Sequence, residues 1–523
     1  MTHPKIIPGA PAVHHQASRR LFMRQAGALS LAAGAGAPLA LNLLAAGSAA
    51  AQGVGDYRAI VCLFMFGGND AFNMVLPTDS ATWAAYTAMR SSIALLPPGT
   101  PPNPGASAGS AARMGGVLPI VPTNPQGRTY ALHPLMTRLQ SMFDTDRRLA
   151  IVANIGPLVA PTTKAQYNTP AHPRPPRLFS HNDQQSIWQT MMPEGATQGW
   201  GGRIADMVVG GNARAVFTAI SASGSAVWLS GQSVRQYQVS GAGALRLGAD
   251  TNNLVYGSAT VANALANIAR SAQGSHVFEA DVAATAARSI DSESILRGAL
   301  RPASDPAFGT PPAGGGSYNP SADPKLQVLS PTNGNPVFSP LAQQLQMVAR
   351  LVQAGVSGAT GVRRQVFFVS LGGFDTHSNQ NPQHTDLMAR VAHAMAYFDT
   401  ALGAINARNN VTTFTASDFG RTFTSNGDGT DHGWGAHQFV MGGAVRGGDL
   451  YGSFPKLVAR NSSTGEFDSP DQVRNGALLP TTSVDQLGAT LGRWFGLSDS
   501  QALEVFPSLA NFNTGVRNLG FTS

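Results

Sequence analysis

The sequence predicts an α/β protein with a three-layer α/β/α architecture and a mostly parallel central sheet. The first observation is an alternation of short apolar segments with longer segments whose apolar residues recur at helical spacing. The second is that several short segments are apolar without interruption, which is typical of central strands covered on both faces. The third is that polar clusters follow directly after these segments, as they do at the carboxyl ends of parallel strands.

The individual elements follow from these patterns. The predicted strands are AIVCLFMF (59–66), LAIVANI (149–155), QVFFVSL (365–371), VTTFTAS (411–417) and QFVMGGAV (438–445). Helical spacing predicts helices over 134–144, 182–192, 340–355, 384–408 and 484–495. In the third of these, Gly355 follows the apolar pattern and acts as a stop signal. The region 214–300 mixes strand-like and Ala-rich helical pieces, and we expect it to decorate the central sheet.

The amino terminus resembles a bacterial twin-arginine export signal. Arg19 and Arg20 precede Leu-Phe-Met, an Ala/Gly/Leu-rich stretch and a cleavage-like run of small residues at 49–51. We therefore assign residues 1–51 to a signal peptide and expect a periplasmic or secreted protein. The twin-arginine translocase is then a partner during export, and no stable membrane span is expected after cleavage. A membrane anchor is the alternative interpretation of the apolar stretch.

Removal of this segment changes the charge of the chain. It contributes four basic residues and no acidic residue, so the formal net charge falls from +7 to +3. A charge of +3 gives no reason to expect nucleic acid as a partner. Because twin-arginine substrates are exported folded, often with a cofactor already bound, the signal favours a metal.

The remaining residues, 52–523, are predicted to form a single domain. Hydrophobic residues at 43% and charged residues at 12% are proportions of a globular protein, which excludes extensive disorder. Stretches rich in Pro, Gly and Ser predict loop insertions near 95–128 and 300–335. The only cysteine, Cys62, lies in the first predicted strand, so we expect no internal disulfide and interpret it as a core residue.

Unusual polar clusters follow the first, third and fourth predicted strands. They read GGNDAFN, GGFDTHSNQ and SDFGRT, and the glycine-rich GTDHGWGAH comes shortly after the last of them. Because ligands of open α/β sheets bind at the carboxyl ends of strands, we expect these clusters to form one convergent site. Their mixture of carboxylates and imidazoles supplies the oxygen and nitrogen ligands that divalent metals accept.

The metal-ligand candidates are Asp70, Asp375, His377, Asp418, His432 and His437. Several of them have a structural alternative. Asp70 can cap the helix that follows it, and Asp375 with His377 can form a turn that carries an exposed histidine. His432 and His437 stand five residues apart in a glycine-rich loop, and this spacing alone is weak evidence for a metal site.

Two further residues are candidates for catalysis. Arg421 comes three residues after Asp418 and can pair with it or with an anionic substrate. Ser180, in the stretch SHNDQQ, precedes a helical pattern, and Asp183 three residues later completes something close to a capping box. The same hydroxyl at a helix amino terminus would suit an anionic substrate, and a neighbouring metal could activate it as a nucleophile.

The ordered motifs GGNDAFN, SHNDQQ, GGFDTHSNQ, SDFGRT and GTDHGWG…VMGGAVRGG resemble the bacterial family known as domain of unknown function 1501. The resemblance covers essentially the whole mature chain. That family looks like a distant relative of the alkaline phosphatase and sulfatase superfamily, which hydrolyses phosphate or sulfate esters at metal-bound α/β sites. The resemblance implies an alkaline-phosphatase-like fold, a nucleophile at Ser180 and metal ligands at Asp70, Asp375, His377, Asp418 and His432.

Two features depart from the superfamily pattern. The usual SDHG is SDFG here, so Phe419 stands where a histidine ligand is expected, and His432 or His437 would have to compensate. Ser180 is followed by His-Asn-Asp instead of the x-Pro-x-Arg of sulfatases, which disfavours a formylglycine sulfatase.

We therefore expect an exported metal-dependent hydrolase that acts on small-molecule or glycan esters of phosphate or sulfate. Its cofactor would be one or two divalent ions of Zn, Mn, Mg or Ca, and Arg421 would help to neutralise charge on the transferred group. The alternative is a non-catalytic exported protein of the same fold that binds surface glycans or a partner protein. Phe419 and the absent nucleophile motif favour that alternative.

Overall fold

The fold is built from apolar strands that alternate with helices along the chain. The computed structural model describes residues 57–241, 243, 248, 254–270 and 277–522, so the assigned export signal lies outside the described residues. In chain order the described strands are β1 (Arg58–Phe66), β2 (Val75–Pro77), β3 (Leu118–Ile120), β4 (Tyr130–Leu132), β5 (Leu149–Gly156), β6 (Ala219–Ser221), β7 (Tyr237–Gln238), β8 (Gln327–Leu329), β9 (Pro336–Phe338), β10 (Arg364–Gly372), β11 (Val411–Ser417), β12 (Arg421–Ser425), β13 (Thr430–His432), β14 (Ala436–Gly442), β15 (Leu450–Tyr451), β16 (Gln472–Val473), β17 (Ala477–Leu478) and β18 (Thr482–Ser483).

The helices lie between these strands and after the last of them. In chain order the described α-helices are α1 (Ser80–Arg90), α2 (Ala111–Met114), α3 (Thr137–Asp144), α4 (Lys164–Tyr167), α5 (His181–Thr190), α6 (Trp200–Val208), α7 (Ala259–Arg270), α8 (Val277–Ala299), α9 (Pro340–Val356), α10 (Gln380–Ala404), α11 (Val484–Phe495) and α12 (Asp499–Val505). Within the described ranges, no helix has the length and apolar character needed to cross a lipid bilayer.

The central sheet is mostly parallel. Its strand order is β15-β5-β14-β11-β1-β10-β6-β7, and β18 also pairs with β5. Strand β1 pairs in parallel with β10 on one side and with β11 on the other, whereas β14 runs antiparallel to both β11 and β5. The predicted mostly parallel sheet is therefore confirmed, with β1 near its middle.

Helices cover both faces of this sheet. Alternate residues of a strand point to opposite faces. In β1, Val61 and Leu63 pack with residues of α3, α9 and α10, whereas Cys62 and Phe64 pack with residues of α6, α11 and α12. The three-layer α/β/α prediction is confirmed, and the buried thiol of Cys62 belongs to the core as interpreted.

The boundaries of the elements agree with the sequence patterns to different degrees. The strand predicted over 411–417 and the helix predicted over 484–495 have those bounds in the structure. The predicted loop stretch near 95–128 also contains the short elements α2 and β3, and the stretch near 300–335 contains β8. The region 214–300 contributes β6 and β7 to the edge of the sheet, together with α7 and α8.

The centre of the sheet places several polar loops at one edge. Phe66 at the end of β1 pairs with Gly372 at the end of β10, and Met65 pairs with Ser417 at the end of β11. The chain therefore leaves these three parallel strands at the same level. The hairpin of β12 and β13 follows β11, and α5 begins at this edge with His181, which contacts Asp418 just beyond β11.

Candidate metal centre

Three imidazole rings converge on the carboxylate of Asp375. Oδ1 of Asp375 lies 3.4 Å from Nε2 of His181, 3.1 Å from Nε2 of His377 and 3.5 Å from Nε2 of His432. The Nε2 atoms of His377 and His432 are 2.9 Å apart. Neighbouring ligand atoms around a tetrahedral metal stand about 3.3 Å apart when each bond is about 2.0–2.1 Å long. The ligand atoms of His181, Asp375 and His432 all lie within 4.8 Å of one another, so these three groups could hold one ion, and His377 lies beside Asp375 and His432.

In His432 and His181 the Nδ1 atom, on the other side of the ring from Nε2, faces a hydrogen-bond acceptor. Nδ1 of His432 lies 2.7 Å from the carbonyl oxygen of Phe179, which can only accept, so Nδ1 donates and Nε2 presents its lone pair to the cluster. Nδ1 of His181 lies 2.7 Å from Oδ2 of Asp418. The Nε2 atom of His181 is buried and has no hydrogen-bond partner among the described residues. Histidines held in this way, with one nitrogen on an acceptor and the other facing inward, are typical of metal sites.

The charges around the rings also suit a divalent cation. Oδ1 of Asp431 lies 3.4 Å from Nδ1 of His377, so Asp431 is a third carboxylate beside Asp375 and Asp418. Arg421 donates from Nη2 to Oδ1 of Asp375 over 2.9 Å. Three carboxylates against one guanidinium leave a formal charge of −2 when the imidazoles are neutral, which one divalent ion balances. A donor set of imidazole nitrogens and one carboxylate oxygen suits zinc or another transition metal better than Mg²⁺ or Ca²⁺.

Burial and neighbouring charges shift the pKa values in the cluster. The hydrogen bond to Asp418 raises the pKa of His181, so a proton competes with a metal ion for this ring more strongly than for an ordinary histidine. Burial lowers the pKa of His432, which keeps this ring neutral near pH 7. Burial by itself would raise the pKa of Asp375, but the hydrogen bond and the charge of Arg421 bring it below its ordinary value. The carboxylate is therefore ionised, as a metal ligand must be.

The loop after β10 carries two of the four groups. Asp375 and His377 flank Thr376, whose carbonyl oxygen accepts a hydrogen bond of 3.1 Å from the backbone N–H of Thr430 in β13. A Cβ atom at Gly429 would lie 2.3 Å from the carbonyl carbon of His377, so only glycine permits this approach. Gly429, the first residue of the glycine-rich stretch GTDHGWGAH, thus allows β13 to lie against the loop that carries His377.

The β12–β13 hairpin delivers His432 to the same place. His432 lies directly opposite Arg421 across the hairpin, and directly opposite residues share one face of the ladder. Phe419 is buried just before β12, with its ring centroid 4.6 Å from that of His432 and 4.8 Å from that of His181. The phenylalanine that replaces the expected histidine therefore packs against two of the imidazoles, and His432 occupies the inward position that the sequence left open between His432 and His437.

His437 has different surroundings. It is fully buried in β14, where Nδ1 accepts a hydrogen bond of 3.2 Å from the backbone N–H of Asn154. Its ring stacks on Phe454 with centroids 4.4 Å apart, and burial lowers its pKa to about 3. The structure does not bring His437 to the three imidazoles, and its described contacts are those of a core histidine.

Asp70 also has partners outside the cluster. Its carboxylate forms a buried ion pair with Arg90 and accepts a hydrogen bond from Nε2 of Gln380. It also accepts a hydrogen bond of 3.2 Å from the N–H of Phe72, as the N-cap of a short 3-10 helix. These contacts agree with the capping alternative, and the structure does not place Asp70 beside the imidazoles.

Asp418 contacts the cluster through His181. Besides the 2.7 Å contact with His181, Oδ2 accepts hydrogen bonds from Nε2 of Gln185 at 2.7 Å and from the N–H of Gly67 at 3.1 Å. The side chain is fully buried, and Oδ1 has no hydrogen-bond partner among the described residues. In this position Asp418 can orient the ring of His181.

Sequence reasoning named Ser180 and missed the residue after it. Ser180 is the N-cap residue of α5, but its hydroxyl donates to Oδ2 of Asp183 over 2.9 Å and accepts no backbone N–H. His181 is the first residue of α5, and it is the ring that reaches Asp375 and Asp418. The signal was present in SHNDQQ, where an imidazole follows the capping serine directly.

Comparison with known proteins identifies a family without a described activity. A family model described as "Protein of unknown function (DUF1501)" matches residues 57–506. Among curated proteins no significant match is found. A Bacteroides thetaiotaomicron structure concerned with the metabolism of multiple glycosaminoglycans aligns at 9% identity over 86% of this chain and 74% of its own, with a TM-score of 0.32. Ps i-CgsB in complex with k-i-k-neocarrahexaose aligns at 9% identity over 88% and 77%, with a TM-score of 0.30. TM-scores this low carry no argument about activity.

Proposed function

We propose that this chain, which belongs to the DUF1501 family, is an exported metal-dependent hydrolase of phosphate or sulfate esters. The observation that carries the proposal is the convergence of three imidazole Nε2 atoms on one carboxylate oxygen, at distances of 3.1–3.5 Å. Lone pairs that face one another across such distances repel unless a cation or a proton lies between them. A cation held among these groups removes this repulsion.

The residues that would hold the ion are His181, His432 and Asp375, and His377 is a further candidate ligand beside them. A divalent metal there supplies Lewis acidity, which polarises the P–O or S–O bonds of an ester and lowers the pKa of a water molecule. Its imidazole-rich donor set leads us to propose zinc ahead of manganese, magnesium or calcium. The natural substrate would be a small-molecule or glycan ester, and the site of action would be the periplasm or the exterior of the cell after transport by the twin-arginine translocase.

Arg421 contributes positive charge from a buried position. Its side chain is fully buried, Nη2 binds Asp375, and Nε and Nη1 have no hydrogen-bond partner among the described residues. Burial lowers the pKa of the guanidinium, but arginine stays protonated at neutral pH. A charge held in a poorly solvated place is weakly screened, so it helps to stabilise an anionic ester and the charge that develops on it.

We propose water, and not Ser180, as the nucleophile. The hydroxyl of Ser180 donates to the buried carboxylate of Asp183. None of its described contacts is with Asp375 or with the imidazoles around it. A serine nucleophile requires a base and an approach to the reacting centre, and only a carboxylate contact is present here. The ring of Phe419 packs against the rings of His181 and His432 and covers one side of the cluster. We therefore expect water to reach the cluster from the side away from Phe419.

The decisive experiment combines elemental analysis with a substrate panel. Protein folded in the cytoplasm is analysed for bound metal and assayed against phosphate and sulfate monoesters, for the wild type, His432→Ala and the control His393→Ala. His393 lies on α10 and does not belong to the cluster. We expect about one equivalent of metal and activity in the wild type and the control, and neither in His432→Ala. A wild-type protein that stays free of metal and inactive after metal addition would overturn the proposal and favour the non-catalytic alternative.

A further inference from the structure

Two adjoining cavities lead away from the candidate metal centre. A cavity of about 340 Å³ is lined by His377 and His432 together with Phe179 and Arg474. A second cavity of about 620 Å³ shares Phe179 and Arg474 with the first and continues along the proline-rich segment 170–177. Ligand pockets commonly measure 300–1,000 Å³, so this space is larger than a single phosphate or sulfate group needs. The space suits a ligand that extends beyond the group bound at the metal centre.

The charges along this space are predominantly positive. Arg174, Arg177 and Arg474 line the larger cavity, and no carboxylate is among its lining residues. The guanidinium of Arg474 lies 4.6 Å over the ring of Phe179, and no carboxylate pairs with it in the described part of the chain. Arg177 is mostly exposed and lies 3.5 Å from Oδ1 of Asp183. Guanidinium groups recognise phosphate, sulfate and carboxylate through paired hydrogen bonds.

Phe179 and Arg474, which line both cavities, and a lining residue near each of them are held in an unfavourable backbone conformation. The angle φ is 49° at Arg177, 74° at Phe179, 26° at Arg474 and 40° at Asn475. Side chains other than glycine rarely adopt positive φ, and such residues concentrate at ligand-binding and catalytic sites. At Phe179 this conformation accompanies the carbonyl contact with His432, so this lining residue is directly connected to the metal centre.

We propose that these cavities form a subsite for a second anionic group of the substrate, bound by Arg474 and Arg177. The substrate class would then be polyanionic esters, in which one sulfate or phosphate group occupies the metal centre and another lies against the arginines. The proposal rests on the proposed function and deepens it. Asp431 is the acidic residue that lines the smaller cavity, and it faces His377, so the positive charge of Arg474 is left for the ligand.

The test measures binding of two polyanions that differ in the chemistry of their charged groups. Sucrose octasulfate and myo-inositol hexakisphosphate are titrated calorimetrically into the full-length protein, as isolated and again after chelator treatment. The proteins compared are the wild type, Arg474→Gln, the double variant Arg177→Gln/Arg474→Gln and the control Arg288→Gln. Arg288 lies on α8 and lines neither cavity.

For at least one polyanion we expect Kd to rise about tenfold in Arg474→Gln, the factor that about 1.4 kcal/mol gives, and further in the double variant. The control retains the wild-type Kd. The polyanion with the lower Kd identifies the sulfated or the phosphorylated class. Equal Kd values in the wild type and Arg474→Gln for both polyanions, or no binding by the wild type, would overturn the proposal. Because binding is also measured without metal, this outcome is distinguishable from failure of the proposed hydrolase function.

Discussion

Replacement of Asp418 by asparagine should weaken metal binding, although Asp418 is not among the proposed metal ligands. Asp418 is fully buried and holds Nδ1 of His181 at 2.7 Å, so the substitution removes the negative charge that orients this ring and raises its basicity. Loss of such a carboxylate partner typically lowers metal affinity 10- to 100-fold, or by about 1.4–2.7 kcal/mol.

The chain offers a matched control in Asp431→Asn. Asp431 faces Nδ1 of His377 at 3.4 Å, and its side chain is 46% exposed. Ion pairs in contact with water contribute about 0.2–1 kcal/mol, so Asp431→Asn should lower the affinity less than about fivefold. The two carboxylates differ mainly in burial and distance, and the comparison isolates these two factors.

The assay is competition for zinc between the protein and a chelator of known affinity. Circular dichroism melting of the metal-free proteins shows that each variant is folded at the temperature of the titration. If Asp418→Asn binds zinc as tightly as the wild type, or if both variants lose the same factor, the proposed role of Asp418 in orienting His181 is refuted.

Two further predictions concern the nucleophile and acid stability. Ser180→Ala should reduce the rate of hydrolysis less than about tenfold and leave the metal content unchanged. Removal of a true serine nucleophile can lower kcat about a millionfold. A loss above about a thousandfold would therefore make Ser180 the nucleophile. The folded-state pKa of His437 is about 3 against an ordinary value of 6.5, so between these values only the unfolded state takes up the proton and stability falls as pH falls. From pH 6.5 to 5 the loss is about 2 kcal/mol for this group, and urea unfolding of His437→Gln should show a pH dependence shallower by about one proton; an unchanged slope would contradict the burial argument.

Much of the scaffold of the site follows from local sequence. The uninterrupted apolar character of β1, β10 and β11 indicates strands buried on both faces, and the polar motifs after them mark their carboxyl ends. Asp375 and His377 were assigned from such a motif, and the structure places Nε2 of His377 3.1 Å from Oδ1 of Asp375. Strand periodicity and end position are properties of a few neighbouring residues, which explains why a single sequence reveals them.

The choice between histidines required information from distant parts of the chain. His432 and His437 stand in the same glycine-rich stretch, with nothing local to separate them. The pairing of β13 with β12 turns His432 toward Asp375, whereas β14 pairs with β5 and buries His437 against Phe454. Strand partners are chosen by the whole sheet, so this difference appears only in the tertiary structure.

By itself the sequence determined the α/β/α class, the strands that carry the site and the kinds of side chain at their ends. The tertiary structure decided which of those side chains meet. It replaced Ser180 by His181 as the residue that joins the cluster, since the partner of His181 is Asp418, 237 residues further along the chain. It also placed Asp70 in a buried ion pair with Arg90. Periodicity and capping arise from neighbours in sequence, but a ligand set arises from chain segments that only folding brings within a few ångströms of one another.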